Sequence, residues 1–197
     1  MLTGKTALVT GGAKGIGRAI ALKIAEAHGN VAIIYRGSQK NAEQTIDELL
    51  ALGVQAKSYQ CDVSDFYATK DLVAQVIKDF DGLDILVNNA GIVDKHRPIT
   101  ECTDEWWNEI IAIDQSSLFY MMKDTIPHMM ASGKGSIINV SSIGGVFGNG
   151  GISYSAAKSA ALAMTKNVAI QLAPNGIRCN AVCPNAVSPT SSRANGP

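Results

Sequence analysis

The chain carries no excess of charge and no long apolar run, and each absence excludes a class of protein. Its 197 residues include 17 basic and 17 acidic side chains, so it lacks the positive surface by which proteins bind nucleic acids or anionic membranes. No apolar run reaches the roughly 18 residues of a membrane span, and the chain does not open with a cationic segment followed by an apolar stretch. We therefore expect no nucleic-acid partner, no membrane partner and no export.

Cysteine and histidine are also scarce, and their spacing is not that of a metal site. The four cysteines form no C-x-x-C pair, and the three histidines add no zinc pattern. We expect a cytoplasmic protein without a metal, with reduced thiols at Cys61, Cys102, Cys179 and Cys183. What the chain does contain is 46% apolar and 17% charged residues, which is typical of a folded globular domain.

Short apolar strands alternate with helical segments along the chain. The predicted strands are Thr6–Val9, Val31–Tyr35, Gln55–Gln60, Ile85–Asn88, Ser136–Ser141 and Ile177–Val182. The predicted helices are one that follows the first glycines, Gln39–Leu52, Asp65–Phe80 with Ser64 as N-cap, Glu105 to about Met130 with a kink or end at Pro127, and Ser153–Ala173. Strict alternation gives parallel strands with right-handed crossovers, so we predict an α/β fold, a Rossmann-type doubly wound sheet in the order 3-2-1-4-5-6. Ligands of such sheets bind at the carboxyl ends of the strands.

A glycine-rich turn, T-G-G-A-K-G-I-G at Thr10–Gly17, joins the first strand to the first helix. Gly11 permits the tight turn, Gly15 lets the backbone approach a pyrophosphate, and Gly17 lets the helix pack closely on the strand. The amides of the first helical turn, around Ile16, lie at the positive end of the helix dipole and face the phosphates. The spacing G-x3-G-x-G differs from the usual G-x-G-x-x-G, and a plain turn is the alternative.

The end of the second strand predicts which dinucleotide is bound. A carboxylate there would bind the ribose 2′-hydroxyl of NAD and repel a 2′-phosphate, but the chain has Arg36. A guanidinium holds a phosphate through two parallel hydrogen bonds, and Lys14 adds a second cation. We therefore predict NADP(H), with NAD(H) as the alternative if Arg36 is only a solvated charge. Asp62 and Val63 would flank the adenine, unless Asp62 is a helix-cap neighbour.

Tyr154 and Lys158 are the candidate catalytic pair. Their i, i+4 spacing in a predicted helix places the phenol and the ammonium on one face, one turn apart. Reducing a carbonyl needs a proton donor beside the hydride donor, and a free phenol is a poor acid at neutral pH unless a fixed cation favours its ionised form. Such a pair also occurs by chance on solvated helix faces, so the interpretation depends on the motifs around it.

Four motifs follow one another in the chain: T-G-G-A-K-G-I-G from Thr10, N-N-A-G from Asn88, N-V-S-S from Asn139 and Y-S-A-A-K from Tyr154. In this order and spacing the chain closely resembles the short-chain dehydrogenase/reductase family, over nearly its whole length. The segment G-I-R-C-N-A-V-C-P from Gly176 is similar to that of bacterial 3-oxoacyl-[acyl-carrier-protein] reductases and glucose 1-dehydrogenases. The resemblance implies reversible hydride transfer between NAD(P)H and a carbonyl or alcohol.

The resemblance also implies a role for each motif. Tyr154 would be the acid–base, Lys158 would hold the nicotinamide ribose and make the tyrosine easier to ionise, and a serine would hydrogen-bond the substrate oxygen. The residues that would support the central sheet and the cofactor are Asn88, Asn89, Ala90 and Gly91. The two long predicted helices resemble those that pair subunits in this family, which implies a homodimer or a homotetramer, and the alternative is that their apolar faces pack only within the chain.

The catalytic serine is the first departure from the family pattern. The family serine usually lies one position further from the tyrosine than Ser142 does, at the place of Ser141. Strand register is harder to change than loop length. We therefore predict Ser142, with one residue lost from the loop Gly144–Gly151, and keep Ser141 as the alternative.

Asp114 is the second departure, because the family normally has an asparagine there. An ionised carboxylate accepts hydrogen bonds but donates none. Near Lys158 it would favour the charged ammonium, which tunes the site instead of abolishing it. We expect reduced but not absent activity.

The carboxyl end is the third departure. Family members usually continue through a substrate-covering helical segment and a seventh strand, whereas here the usual P-G is Pro184-Asn185 and residues 188–197 lack apolar periodicity. We predict a single domain over residues 1–187, a disordered tail over 188–197 and a sixth strand left as an edge. Two functions follow: an NADP-dependent carbonyl reductase or alcohol dehydrogenase acting on an unidentified small molecule, or a catalytically inactive remnant that at most binds dinucleotide.

Overall fold

Six parallel strands form one sheet in the computed structural model, which describes residues 1–93 and 97–187. The strands are β1 (Thr6–Thr10), β2 (Asn30–Tyr35), β3 (Ala56–Gln60), β4 (Ile85–Asn88), β5 (Gly135–Val140) and β6 (Ile177–Val182). They pair in parallel in the order β3-β2-β1-β4-β5-β6. The predicted Rossmann-type order is therefore confirmed, while the predicted tail, residues 188–197, lies outside the described residues.

Helices connect the strands, as the alternation predicts. They are α1 (Gly15–Glu26), α2 (Gln39–Ala51), α3 (Phe66–Phe80), α4 (Asp104–Ile111), α5 (Ser117–Ser132), α6 (Ile143–Phe147) and α7 (Ile152–Leu172). Short 3-10 helices lie at Ile99–Glu101 and Ala173–Asn175, and a π-helical turn at Ala112–Ser116 separates α4 from α5. The described chain is thus a doubly wound α/β domain.

The centre of the sheet is buried on both faces because side chains of one strand alternate between two helical layers. On one face, Leu8 and Leu86 pack with Met121 of α5 and with residues of α3 and α7. On the other face, Val9 and Ile33 pack beneath α1 and α2. This two-sided burial holds the strands in register, so their carboxyl ends meet along one edge of the sheet.

The second face is covered unevenly. Helices α1 and α2 contact β1, β2 and β3, whereas no helix of the described residues lies over the β4–β6 half of that face. An apolar groove of about 750 Å³ remains there, lined by Ile20 of α1 and by Val87, Ile138 and Val182 of the sheet. In this part of the chain β6 is the edge strand, as the sequence predicts.

The helix predicted from Glu105 to Met130 is two helices divided by the π-helical turn. Pro127 lies inside α5, which continues to Ser132, so the helix does not end at the proline. Proline cannot donate a backbone hydrogen bond, but Met121 and Met129 are fully buried on the same helix. The packing of this apolar face offsets one lost hydrogen bond.

The N-cap of α3 is Asp65, so the prediction of Ser64 is wrong by one residue. The Asp65 carboxylate accepts the N–H groups of Tyr67 at 2.9 Å and Ala68 at 3.0 Å. The Ser64 hydroxyl instead donates to Asp62 Oδ1 at 2.6 Å. Either side chain suits an N-cap, and only the fold of the preceding loop selects between them.

Candidate functional site

The glycine-rich turn packs directly against the end of β4. The backbone of Gly11 has φ +65°, and a Cβ there would lie 3.0 Å from Asn89 Nδ2 and 3.1 Å from Ala90 Cα. A Cβ on Gly17 would lie 2.3 Å from the carbonyl oxygen of Gly11. Both positions therefore require glycine, in agreement with the tight turn and close helix packing predicted for them. Helix α1 begins at Gly15, which has open space around its missing side chain.

Thr10 joins the same two segments, and the sequence analysis missed it. Its Oγ1 accepts the N–H groups of Asn89 and Ala90, both at 2.9 Å. In return, Asn89 Nδ2 donates to the Thr10 carbonyl oxygen at 2.9 Å. A hydroxyl at the last strand residue before the glycines is the sequence signal that would have found it. These bonds fix the turn to the end of β4.

The first cleft lies beside this turn and has a volume of about 410 Å³. It brings together seven of the residues predicted to bind dinucleotide, which are Gly11, Lys14, Arg36, Asp62, Val63, Ala90 and Gly91. Gly15 and Gly17 do not line it. The cleft lies at the carboxyl ends of the strands, where a doubly wound sheet binds its ligand.

Arg36 and Asp62 face each other across the first cleft, with Nη1 and Oδ2 3.9 Å apart and both side chains substantially exposed. Asp62 also accepts hydrogen bonds from the Ser64 backbone and hydroxyl. Partial burial raises the pKa of the Asp62 carboxyl, but the bonds from Ser64 and the charge of Arg36 outweigh this and leave the pKa below its ordinary value. Asp62 is therefore an anion that pairs weakly with Arg36 and accepts hydrogen bonds from Ser64 within the loop that follows β3.

The second cleft adjoins the first, because Gly91 and Ile92 line both. Its volume is about 440 Å³. The predicted site residues that line it are Ile16, Asn89, Gly91, Asp114, Ser141, Ser142, Tyr154 and Lys158. The fold thus brings a strand end, a π-helical turn and α7 to one cavity from distant parts of the chain.

Tyr154 and Lys158 lie one turn apart on α7, and the Lys158 ammonium is 5.6 Å from the centroid of the Tyr154 ring. The Lys158 side chain is only 5% exposed. Its Nζ donates to the Val140 carbonyl oxygen at 3.2 Å and lies 3.1 Å from Asp114 Oδ2. The fold thus holds a buried ammonium beside the Tyr154 ring.

The two candidate serines have different environments. The buried Ser141 hydroxyl donates to the Lys158 carbonyl oxygen at 2.7 Å. Ser142 is the N-cap of α6, a helix in the predicted loop, and its Oγ accepts the Gly144 N–H at 3.1 Å. A Cβ on Gly144 would lie 3.4 Å from Tyr154 Cε1 and 3.5 Å from Ser142 Oγ. Ser142 and Tyr154 therefore flank the same small gap.

Asp114 lies in the π-helical turn and is fully buried. Its Oδ1 accepts the Ile92 N–H at 2.8 Å, and its Oδ2 forms the ion pair with Lys158. A Cβ on Gly91 would lie 2.8 Å from Asp114 Oδ2 and 3.2 Å from Lys158 Nζ. The carboxylate predicted to lie near Lys158 is thus in direct contact with it, beneath the glycine that ends the N-N-A-G motif.

Asn88 and Asn139 tie the centre of the sheet together below the site. Asn88 Nδ2 donates to Asn139 Oδ1 at 2.9 Å, and Asn139 Nδ2 donates to Thr165 Oγ1 at 2.9 Å. Both asparagines are buried, and these bonds give partners to Asn88 Nδ2, Asn139 Oδ1 and Asn139 Nδ2, which would otherwise be costly to bury, while Asn88 Oδ1 has no hydrogen-bond partner among the described residues. They join β4, β5 and α7 and so fix the helix that carries Tyr154.

The family model for short chain dehydrogenases matches residues 5–196 of the chain. With this match and the geometry above, the chain belongs to the short-chain dehydrogenase family of oxidoreductases. Among the described residues no helix is long and apolar enough to cross a bilayer, and no group of three or more side chains is arranged to hold a metal ion. All four cysteines carry free thiols.

Among curated proteins, the chain is similar to the 3-oxoacyl-[acyl-carrier-protein] reductase FabG of Staphylococcus aureus. The two are 39% identical over 184 residues, which cover 93% of this chain and 74% of that protein. It is also 37% identical to 3beta-hydroxysteroid dehydrogenase 2 of Eggerthella lenta, over 93% of this chain and 71% of that protein. These relatives share the family but differ in substrate.

Solved structures confirm the fold. NAD+-bound xylitol dehydrogenase superposes with a TM-score of 0.92 at 32% identity, covering 97% of this chain and 74% of that one. A metagenomic short-chain oxidoreductase in complex with NADP superposes with a TM-score of 0.89 at 30% identity, covering 95% of this chain and 85% of that one. Structures similar to this chain thus include one bound to each dinucleotide.

Proposed function

We propose that the chain is an NADP(H)-dependent carbonyl reductase or alcohol dehydrogenase with Tyr154 as its acid–base. One observation carries the proposal: Tyr154, Lys158 and Ser142 line a cleft that adjoins the glycine-turn cleft through Gly91. A bound nicotinamide dinucleotide would supply or accept the hydride. The chain's own residues bind it, orient the substrate and move the proton.

The first cleft fits a dinucleotide because two cations line it and one of them, Lys14, is the N-cap residue of α1. The amides at Gly15 and Ile16 begin α1, and a helix N-terminus attracts a pyrophosphate. Lys14 and Arg36 supply positive charge for a ribose 2′-phosphate. Asp62 and Val63, which line the same cleft, would contact the adenine, while Asn89 and its neighbours hold the turn in shape. The pairing of Arg36 with Asp62 is loose enough at 3.9 Å for the guanidinium to bind a phosphate.

In the second cleft the tyrosine hydroxyl transfers the proton. During reduction Tyr154 donates a proton to the carbonyl oxygen, and during oxidation it removes a proton from the alcohol. The Lys158 ammonium, 5.6 Å from the ring centroid, stabilises the phenolate that results from donation, and it would also hold the ribose of a bound nicotinamide dinucleotide. The Ser142 hydroxyl hydrogen-bonds the substrate oxygen and orients it. Ser141 is the weaker candidate because its hydroxyl already donates to a backbone carbonyl.

An assay of NADPH oxidation with diketones, 3-oxoacyl thioesters and sugars tests the proposal. The 3-oxoacyl thioesters are the first choice because a relative's name identifies that substrate class. We expect turnover that Tyr154→Phe lowers by about 10²- to 10⁴-fold. Tyr67→Phe, which changes a tyrosine that is 77% exposed, is the matched control and keeps wild-type turnover.

A titration with NADPH and NADP+, followed by fluorescence, runs beside the assay. Binding without turnover on any carbonyl would support the alternative, a catalytically inactive dinucleotide-binding protein. No binding of either dinucleotide would contradict both functions. Equal turnover in wild type and Tyr154→Phe would contradict the assigned acid–base.

A further inference from the structure

The ion pair of Asp114 and Lys158 is the least accessible charged contact of the candidate site. Oδ2 and Nζ are 3.1 Å apart, and the side chains are 0% and 5% exposed respectively. Burial removes the water that would screen these charges, so their effect on neighbouring groups is stronger than at the surface. The Tyr154 ring also neighbours the ammonium, with its centroid 5.6 Å from Lys158 Nζ.

We propose that Asp114 is a positioning residue that partly offsets the effect of the Lys158 charge on Tyr154. The Tyr154 phenol then ionises at a higher pH than it would if residue 114 were uncharged. The inference rests on the proposed function for its catalytic meaning. Its physical content concerns only the ionisation of Tyr154. The consequence for the reaction is a proton donor that stays protonated at neutral pH, which favours carbonyl reduction over alcohol oxidation.

The fold keeps the carboxylate where this effect requires it. Asp114 Oδ1 is fixed by the Ile92 N–H, and the backbone of the residue belongs to the π-helical turn. Gly91 packs closely against the pair, because a Cβ added to Gly91 would lie only 2.8 Å from Asp114 Oδ2. Lys158 is held from its other side by the Val140 carbonyl oxygen. Neither partner can leave the pair without giving up a second contact.

Charge attraction gives the direction of the effect. An isolated ammonium stabilises a phenolate, whereas an ammonium with a carboxylate beside it presents a dipole whose field falls off faster with distance. The carboxylate also repels the phenolate directly. Wherever Lys158 is charged, both effects make the phenolate less stable than it would be beside a charged Lys158 without Asp114.

The other groups that face this pair carry no charge in the described part of the cleft. The only titratable side chains that line it are Asp114, Tyr154 and Lys158. β5 and the residues after it contribute the hydroxyls of Ser141 and Ser142, and the end of β4 contributes the Asn89 amide. Asp94, Lys95 and His96 lie outside the described residues. Among the described residues that line this cleft, the pair thus supplies the charged groups other than the phenol itself.

Ultraviolet titration of the phenolate tests the inference without any substrate or cofactor. Subtracting the titration of Tyr154→Phe from that of a protein with Tyr154 intact isolates the Tyr154 transition. The same subtraction is made in the Asp114→Asn background, with Tyr154 intact and with Tyr154→Phe. We expect Asp114→Asn to lower the midpoint of the Tyr154 transition by roughly one pH unit. Asparagine keeps an oxygen to accept the Ile92 N–H, so the turn is preserved.

Two further variants make the test decisive. Asp114→Ser removes the charge with a different side chain and should also lower the midpoint. It provides the test if the Asp114→Asn variant does not fold. Asp84→Asn removes a carboxylate that also pairs with a lysine, but at the opposite end of the strands, and should leave the midpoint unchanged. Thermal unfolding monitored by circular dichroism verifies that each variant is folded.

The outcomes separate this inference from the proposed function. An unchanged or raised midpoint in a folded, neutral Asp114 variant overturns the inference, even if Tyr154→Phe abolishes turnover. A lowered midpoint supports it, even if no carbonyl substrate is turned over. If turnover is found, Asp114→Asn should also move the pH profile of alcohol oxidation to lower pH by the same amount, with little change in KM.

Discussion

The hydroxyl of Ser141 donates a 2.7 Å hydrogen bond to the carbonyl oxygen of Lys158. This bond ties the end of β5 to the helix that carries the candidate acid–base. It also occupies the one proton that Ser141 has to donate. Ser142, the next residue, instead accepts a hydrogen bond from Gly144 and keeps its own proton for another partner.

We therefore expect the two serines to respond differently to alanine. Ser142→Ala should lower kcat by about 10²-fold, because a group that orients the reacting oxygen is lost, and it should also lower the free energy of unfolding by about 1 kcal/mol, because α6 loses its N-cap. Ser141→Ala should lower the free energy of unfolding by about 1 kcal/mol and reduce kcat less. Steady-state kinetics and urea unfolding of both variants measure this. A larger loss of kcat in Ser141→Ala would reverse the assignment.

Arg36 should determine the preference for NADP(H). Arg36→Ala removes the guanidinium that faces the first cleft, and a hydrogen bond to a charged group contributes roughly 1.5–3 kcal/mol. We expect NADPH affinity to fall by about 10- to 100-fold while NADH affinity changes little, as measured by fluorescence titration. Arg178→Ala is the control, since Arg178 lies at the start of β6, away from this cleft. Equal losses for both dinucleotides would show that Arg36 does not read the 2′-phosphate.

Asp84 should make part of the stability depend on pH. It accepts hydrogen bonds from Lys5 Nζ at 2.8 Å and from the Thr6 N–H at 3.1 Å. Partial burial raises the pKa of this carboxyl, but these bonds and the charges of Lys5 and Lys134 outweigh burial and leave the pKa below its ordinary value. A lowered folded-state pKa stabilises the protein above the unfolded pKa of about 4, and this stabilisation is lost as pH falls through the folded value.

Asp84→Asn should therefore lower the free energy of unfolding by about 1 kcal/mol at neutral pH, and the difference from wild type should shrink under acid conditions. Urea unfolding at several pH values measures it. The matched control is Asp81→Asn, a change at an exposed residue with a left-handed backbone (φ 54°) that asparagine tolerates. A difference that persists unchanged in acid would contradict the charge-based explanation.

The predicted homodimer or homotetramer should depend on the outer face of α7. Ile170 on that helix is 78% exposed, and a subunit contact on this face would bury its apolar side chain. We expect Ile170→Glu to shift the mass measured by light scattering toward the monomer. Leu50→Glu, on α2 and 50% exposed, should leave the mass unchanged. A wild-type protein that is monomeric at micromolar concentration would contradict the predicted homodimer or homotetramer.

Much of the fold could be predicted from local patterns. The alternation of short apolar strands with amphipathic helices predicts the strand order correctly, because parallel crossovers have one hand and few topologies remain. Errors occur where two local preferences compete. Ser64 and Asp65 are both good N-caps, and Pro127 is a poor helix residue that the buried methionines of α5 override. The π-helical turn at Ala112–Ser116 has no sequence pattern that marks it.

The family and the candidate catalytic pair could be identified before any fold was known, because the spacing of Tyr154 and Lys158 and the order of the glycine motifs are properties of a linear pattern. How those groups meet depends on the folded chain. Folding places Asp114 in contact with Lys158, turns the Ser141 hydroxyl to the backbone and joins Thr10 to Asn89. Such contacts join residues far apart in the chain, and their geometry is set by the packing of β1, β4, β5 and α7, which no local spacing records.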